Sequence, residues 1–521
     1  MDIFSLQRRE LLHALGLAGG ASLLGGMPTL AAAAVGAPAN TTAGTATSIP
    51  VTAAATLPAP TDPLLRPFRA ISESTGRLHT PRLATRGRWP AALRGRFHRN
   101  GPALYARGGE SHGHWFDGDG MVQQFRIDGG HIAHRGALVE TTKLRAEREA
   151  GRFLVGSFGT AMAARMPVSG PDHFNTANTN AVEHGGRLLA MWEGGSAHAL
   201  DPATLDTLGP VVWRPDLAQV PFSAHPKIDP QGHLWNIGTS GPHLLVWHLD
   251  PAGRLVQVHA GKSPFPGGMA HDMTVTERHV IVPLPPLKLD FTQPLPEGAL
   301  RTFALTPGEP LRLLVLEKAD LSRQRVFELP PAMVFHVGNA FERGGRIVLD
   351  YVSADDAEFL NEGARAPLAG RRPAASRSAL QVAELDLGSG RATVHTLGEN
   401  VEFPRLDPRR IGLPARWLVT VAAQDLRVPF LHQVQLHDTQ GGARRTFDYG
   451  AHCIAEEHVL VPRPGRSAEL DSWLLGTVWD SRRQVSTLNL LDAARIEDGP
   501  IAQADLPYVL PLGFHGNFAA V

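Results

Sequence analysis

The sequence predicts an all-β chain, and three observations carry that prediction. Short β-prone runs recur from about residue 64 to the C-terminus, Asp/Gly turns separate them, and helical periodicity is sparse. One such unit runs Leu244-Leu245-Val246-Trp247-His248-Leu249, turns through Asp250-Pro251-Ala252-Gly253, and returns as Leu255-Val256. Similar turns lie at Asp229–Gly232, Asp386–Gly390 and Asp438–Gly441, with Gly-Gly turns at 129–130, 185–186 and 344–345. Asp and Gly supply the turn chemistry that tight hairpins demand. Because the rhythm spans the whole region, residues 64–521 read as one domain. The rhythm alone leaves a sandwich pair, a barrel and a propeller open.

Residues 1–34 read as an export leader. Arg8-Arg9 is a twin-arginine start, a Gly/Ala/Leu stretch follows from Ala14 to Met27, and Ala31 to Ala34 offers a small-residue cleavage site. The expected location is therefore the periplasm. Residues 35–63, rich in Ala, Thr and Pro, read as a disordered linker. Two long Pro-containing insertions, Pro283 to Pro310 and Asp355 to Pro373, are expected to build a cap on one face. The best helical segment is Thr142 to Phe153.

Lys+Arg and Asp+Glu both number 50, so no basic face calls for nucleic acid. With one cysteine, Cys453, the chain cannot close a disulfide by itself, and neither a Cys-ligated zinc nor an iron–sulfur cluster is expected within one chain. No nucleophile elbow, P-loop or H-E-x-x-H is present. Gly118-Asp119-Gly120 begins like a dinucleotide fingerprint, but Gln123 takes the third glycine's place.

Histidine is the ligand in supply, with 24 copies. Four of them, His225, His271, His336 and His515, sit in separate apolar settings spread over almost the last 300 residues. Only a closed, radial fold could bring them together, and a shared metal would satisfy their ring nitrogens. His79, His98, His112, His114, His131, His184 and His233 lie in polar or turn-like stretches and read as structural or solvent-facing. Glu193, Glu402 and Glu457 stand in similarly apolar contexts; they either close hairpins or accept the free ring N–H of ligand histidines.

Taken together, RNGPA, HWFDGDGMV, NTANTN, AMWEGG, AHPKIDPQGHLWNIG, MAHDM, EFPR, VPRPG and GFHG resemble the carotenoid cleavage oxygenase family, in order and over most of the chain. The resemblance implies a seven-bladed β-propeller with a dome of loops and short helices over an axial iron. It also implies that His225, His271, His336 and His515 hold Fe(II), with Glu193, Glu402 and Glu457 behind them, Glu457 being favoured over Glu456. Two departures, Glu457-His458 for the usual Glu-Pro and Glu469–Trp473 after VPRPG, are expected to change a hairpin only.

The expected reaction adds both atoms of O2 across one C=C bond of a lipophilic, apocarotenoid-like polyene, with no reductant. Phe174, Phe222, Phe335 and, by a loose alignment, His134 are expected to line the substrate tunnel. Stilbene-cleaving members use a Tyr and a Lys where His134 and Phe174 fall, which disfavours a phenolic substrate. A stilbene-cleaving enzyme and a non-catalytic ligand-binding propeller stand as alternatives. An apolar patch from Val282 to Leu289 with Phe291 is the expected point of membrane contact at the tunnel mouth.

Overall fold

The computed structural model describes residues 60–289, 295–374, 376–425 and 430–521. Apart from the two-stranded ribbon Ala106–Arg107 with Glu110–Ser111, its strands form seven antiparallel sheets of four or five strands each, arranged as the blades of a propeller. Blade 1 carries Arg94–Leu104, Asp119–Asp128 and His131–Leu138; blades 2 to 7 follow in chain order, from Asn180–His184 to Pro500–Asp505. The Asp/Gly segments make the hairpin turns as expected: Gly232 and Gly253 sit at φ 85° and 74°, which a side chain would resist.

The ring closes twice. The C-terminal strand His515–Ala520 pairs with Arg94–Leu104 as the inner strand of blade 1, aligning Asn100 with His515. In the other direction, Ala84–Gly87 pairs with Pro500–Asp505 and completes blade 7. A propeller leaves only short, protected sheet edges, so this double overlap joins the two ends of the chain without exposing a long edge.

Each interface between consecutive blades is filled by alternating inward side chains. Phe97, Phe125, Leu475 and Leu488 pack blade 1 on blade 7, and Phe222, Leu189, Leu245 and Trp247 pack blade 2 on blade 3. Between blades 4 and 5 the layer is Ile281, Leu313, Leu349 and Ala383.

Both insertions contribute to a cap. Phe359–Gly363 is a short helical turn in the second, and Asn361 ties it to the first by exchanging hydrogen bonds with the backbone of Phe303 at 3.0 and 2.8 Å. The predicted helix is present but shorter, Thr142–Ala150, because Gly151 turns left-handed at φ 65° and ends it.

Two expectations need correction. The linker does not run to 63: Asp62 accepts a hydrogen bond from the Leu64 N–H at 3.0 Å and pairs with Arg372, opening the short helix Pro63–Arg69. The patch from Val282 to Leu289 is not an exposed surface either, because Val282 and Leu284 lie buried in a blade 4 strand and Leu287 is buried under the cap. Phe291, the leader and most of the linker lie outside the described residues. Among the described residues, no helix is long and apolar enough to cross a membrane.

Candidate metal centre and substrate cavity

Every blade sends one charged or imidazole group toward the axis. His515 comes from blade 1, Glu193 from the loop leaving the second strand of blade 2, and His225 and His271 from the approaches to blades 3 and 4. His336, Glu402 and Glu457 lie on the inner strands of blades 5, 6 and 7. In those three strands the pairing slips at the functional residue: between Val334 and Val337, between Glu402 and Arg405, and between Ala455 and His458. A bulge adds a residue and re-aims the side chains beside it. Here it lets a strand that packs apolar residues between blades also point a polar one at the axis.

The four imidazoles converge. Ring centroids of His225 lie 4.2, 4.7 and 5.5 Å from those of His271, His515 and His336. The Nε2 atoms of His225 and His515 are 3.0 Å apart, and candidate ligand atoms of His225, His336 and His515 all fall within 4.8 Å of one another. Behind them stand the carboxylates, and each takes one histidine. Glu402 Oε2 accepts from His336 Nδ1 at 2.6 Å, Glu457 Oε1 accepts from His515 Nδ1 at 3.1 Å, and Glu193 contacts His271 Nδ1. Glu456 is not part of this set; its carboxylate accepts from Thr477 and from the Gly513 N–H.

These contacts dictate the tautomers. A proton on Nδ1, held by a carboxylate, leaves the Nε2 lone pair facing the axis. Burial holds His515 down to about 4 and His225 well below its ordinary value, so both are neutral and able to donate. His336 moves the other way, because the Glu402 carboxylate outweighs burial. Burial opposes ionisation of Glu457, but Arg405, His515 and Arg99 outweigh it and hold that carboxyl well below the usual carboxylate range. His225 Nδ1 is buried without a hydrogen-bond partner among the described residues. Four clustered imidazoles, with three carboxylates behind them, suit a divalent transition-metal cation. Replacing Glu402 by Gln should lower metal affinity or turnover about 10–100-fold, measured by chelator competition and steady-state kinetics.

Asp272 escaped sequence reasoning, although it follows His271 directly. Its buried carboxylate accepts from Lys227 Nζ at 2.9 Å and from the Val337 N–H at 2.8 Å. One side chain therefore ties the segments carrying His225, His271 and His336. Asp272→Ala should cost about 3 kcal/mol of stability by stranding Lys227. Metal affinity should fall with it, read by thermal unfolding and metal analysis.

A cavity of about 770 Å³ meets His271, His336 and His515 from the cap side. Its walls are aromatic: Trp115, Phe116, Phe158, Phe174, Phe335, Phe359, Phe403 and Phe514 all line it. Phe403 sits at φ 56° and stacks on His336 with centroids 5.0 Å apart. Such strain in a non-glycine residue marks a place where surrounding structure imposes the conformation.

Of the expected tunnel residues, Phe174 and Phe335 are at the wall, whereas Phe222 and His134 are not. Phe222 faces the interface of blades 2 and 3 and packs on Trp213 and Trp247. His134 lies inside blade 1 against Phe125, with its ring nitrogens on Tyr508 Oη and Gln123 Oε1 at 2.7 and 3.0 Å. The remaining aromatic wall was not singled out from sequence. Trp115 and Phe116 lie inside the HWFDGDGMV segment, and Phe403 and Phe514 each adjoin a predicted site residue.

The departure at His458 is absorbed locally, since the buried ring bonds to Tyr449 Oη at 3.0 Å and to the Glu456 carbonyl at 2.7 Å. In the other departing segment, the Glu469 carboxylate accepts the N–H groups of Arg416 and Trp417.

Fold and site define a seven-bladed propeller whose axis carries clustered imidazoles backed by carboxylates. The model of the retinal pigment epithelial membrane protein family matches residues 72–520. Lignostilbene-α,β-dioxygenase isozyme III of Sphingomonas paucimobilis is 32% identical, the match covering 84% of this chain and 93% of that protein. Apocarotenoid-15,15′-oxygenase of Synechocystis sp. is 31% identical over 83% of this chain and 92% of its own. Cobalt-substituted Synechocystis apocarotenoid oxygenase superposes with a TM-score of 0.78 at 27% identity, covering 88% of this chain and 98% of that one. The chain belongs to the family of the carotenoid cleavage oxygenases and the retinal pigment epithelial membrane protein, and it is an oxidoreductase of that type.

Proposed function

We propose that this protein is an Fe(II) dioxygenase that splits one C=C bond of a neutral, lipophilic polyene of the apocarotenoid kind. Two carbonyl products form, and each keeps one atom of O2. The alkene gives up the electrons, so the balance requires no reductant. One observation carries the reading: the aromatic cavity ends on the faces of His271, His336 and His515. In this reading His225, His271, His336 and His515 hold the iron, which when bound supplies the electronic route by which O2 reacts with an alkene. The chain's own part is positioning. Phe174, Phe335, Phe359 and Phe403 confine an extended polyene and exclude water, while the glutamates keep protons on the outward ring nitrogens.

The similarity to a lignostilbene dioxygenase favours a second reading, cleavage of a phenolic stilbene. Against it, no Tyr, Lys or Arg lines the cavity among the described residues. A phenolate would find no cationic side chain there, only neutral donors such as Ser157, Thr179 and Asn178. Anaerobic loading with Fe(II), followed by mass spectrometry of products from mixed polyenes and stilbenes under ¹⁸O2, tests both readings. Labelled aldehydes from an apocarotenal are expected. Turnover of hydroxystilbene alone would replace the first reading by the second, and iron retention with no O2 uptake on any alkene would leave a binding protein. The twin-arginine leader supports export to the periplasm, which fractionation of cells with and without the twin-arginine pathway checks.

A further inference from the structure

We propose that His452, Cys453 and Asp480 form a second metal site, separate from the axial centre, that takes a soft divalent cation, Zn²⁺ above others. The three residues meet at one end of the first hairpin of blade 7. Cys453 opens the inner strand Cys453–Pro462, Asp480 closes the neighbouring strand Ser472–Asp480, and the two are directly opposed across the pair. His452 precedes Cys453. One imidazole nitrogen, the thiol sulfur and one carboxylate oxygen lie within 4.8 Å of one another, and His452 Nε2 stands 3.9 Å from Asp480 Oδ1. In a tetrahedral zinc site with bonds of 2.0–2.3 Å, ligand atoms are about 3.3–3.8 Å apart, so closure needs only small side-chain shifts.

The donors are already held in place. Asp480 Oδ1 accepts the N–H groups of Arg482 and Arg483 at 2.9 and 3.0 Å, which fixes the carboxylate in the turn. The His452 carbonyl accepts from the Ser481 N–H at 3.0 Å and from Ser481 Oγ at 2.7 Å, which fixes the imidazole's backbone. Cys453 is buried, whereas His452 and Asp480 keep some solvent access, leaving a path for a cation and a water as fourth ligand. The surrounding charges are Asp448 and Asp480 on one side and Arg482 and Arg483 on the other, with Arg483 already paired to Asp505 at 2.7 Å. Burial pushes the thiol up to about 12, and both aspartates add to that, so it stays protonated and inert until a metal takes the proton's place.

The donor set also separates this site from the axial one. A thiolate, an imidazole and a carboxylate favour zinc over iron, whereas the axial centre offers imidazoles alone. A cation here would clip together the two strands of the hairpin that carries Glu457 four residues further on.

Because Cys453 is the chain's sole cysteine, it gives a spectroscopic signature that no other site can produce. Iron-loaded protein titrated with Co²⁺ should develop a thiolate-to-cobalt charge-transfer band that saturates at one equivalent and is displaced by Zn²⁺. The band should vanish in Cys453→Ser, persist in His336→Ala, and require about tenfold more Co²⁺ or more in His452→Ala and in Asp480→Asn. The last two changes fall on partly exposed groups, and Asn keeps the turn-capping oxygen, so both variants should fold, as circular dichroism would show. Absence of the band at millimolar Co²⁺ would overturn the proposal. So would a band whose affinity is unchanged in both His452→Ala and Asp480→Asn, because the thiol would then be acting alone.

Discussion

Substituting His336 by Ala is expected to abolish iron retention and alkene cleavage together. The imidazole is one of four that converge, its Nδ1 is held by Glu402 at 2.6 Å, and Phe403 stacks on its face. Removing it deletes a donor and leaves the Glu402 carboxylate facing an apolar gap. Loss of an outer hydrogen-bond partner costs roughly 10–100-fold in affinity or activity, and loss of a ligand should exceed the upper end of that range. Metal analysis after dialysis against a weak chelator reads the first effect, and O2 uptake with an apocarotenal reads the second. Thermal unfolding separates both from collapse of the fold, because His336 lies in a bulge of the inner strand Met333–Arg343, whose pairing with Arg346–Ala354 on either side does not use it. A variant that kept wild-type iron and turnover would remove His336 from the metal centre.

The four histidines were legible because a propeller brings the start of each inner strand to one axis, whatever the spacing in sequence. Each of them also stands alone in an apolar setting, which a buried imidazole tolerates only with a partner. The pairing of carboxylates with imidazoles was not legible. Glu402 serves His336 from the next blade on, Glu457 serves His515 from the blade before, and Glu193 reaches His271 across blade 3. Those choices depend on bulges at His336, Glu402 and Glu457, and a bulge leaves no periodic trace. The same limit explains the tunnel residues. Phe222 and Phe335 have equally apolar neighbours, but only the local backbone decides whether a ring enters a blade interface or faces the axis. His134 was placed by alignment alone, and its burial inside blade 1 follows from strand alternation over His131–Leu138. The cap insertions announced themselves by length and proline content; the aromatic wall they help to build is assembled from five or more distant segments.

The composition of that wall leads to the second large effect, discrimination between a polyene aldehyde and the corresponding acid. Among the described residues, the cavity has no Lys, Arg or Tyr, and it already carries Asp356, Asp425 and Glu456 besides the two histidine-bound glutamates. An aldehyde end loses little on leaving water for such a place. A carboxylate end must shed its hydration and meets no Lys or Arg among the described residues, a penalty of several kcal/mol even after relaxation. Taking about 3–4 kcal/mol, kcat/KM for the acid should fall about 10²–10³-fold below that for the aldehyde of the same length at neutral pH. The difference should shrink as pH falls toward the substrate's own carboxyl pKa, because the protonated acid enters as a neutral molecule. Phe174→Lys, which puts an ammonium on the wall, should recover about tenfold of the acid's deficit while lowering use of the aldehyde. Equal efficiencies for acid and aldehyde at neutral pH would mean that the end of the substrate never enters this cavity. The bond being cut would then have to lie at least the depth of the cavity away from that end, with the polar group left outside in water.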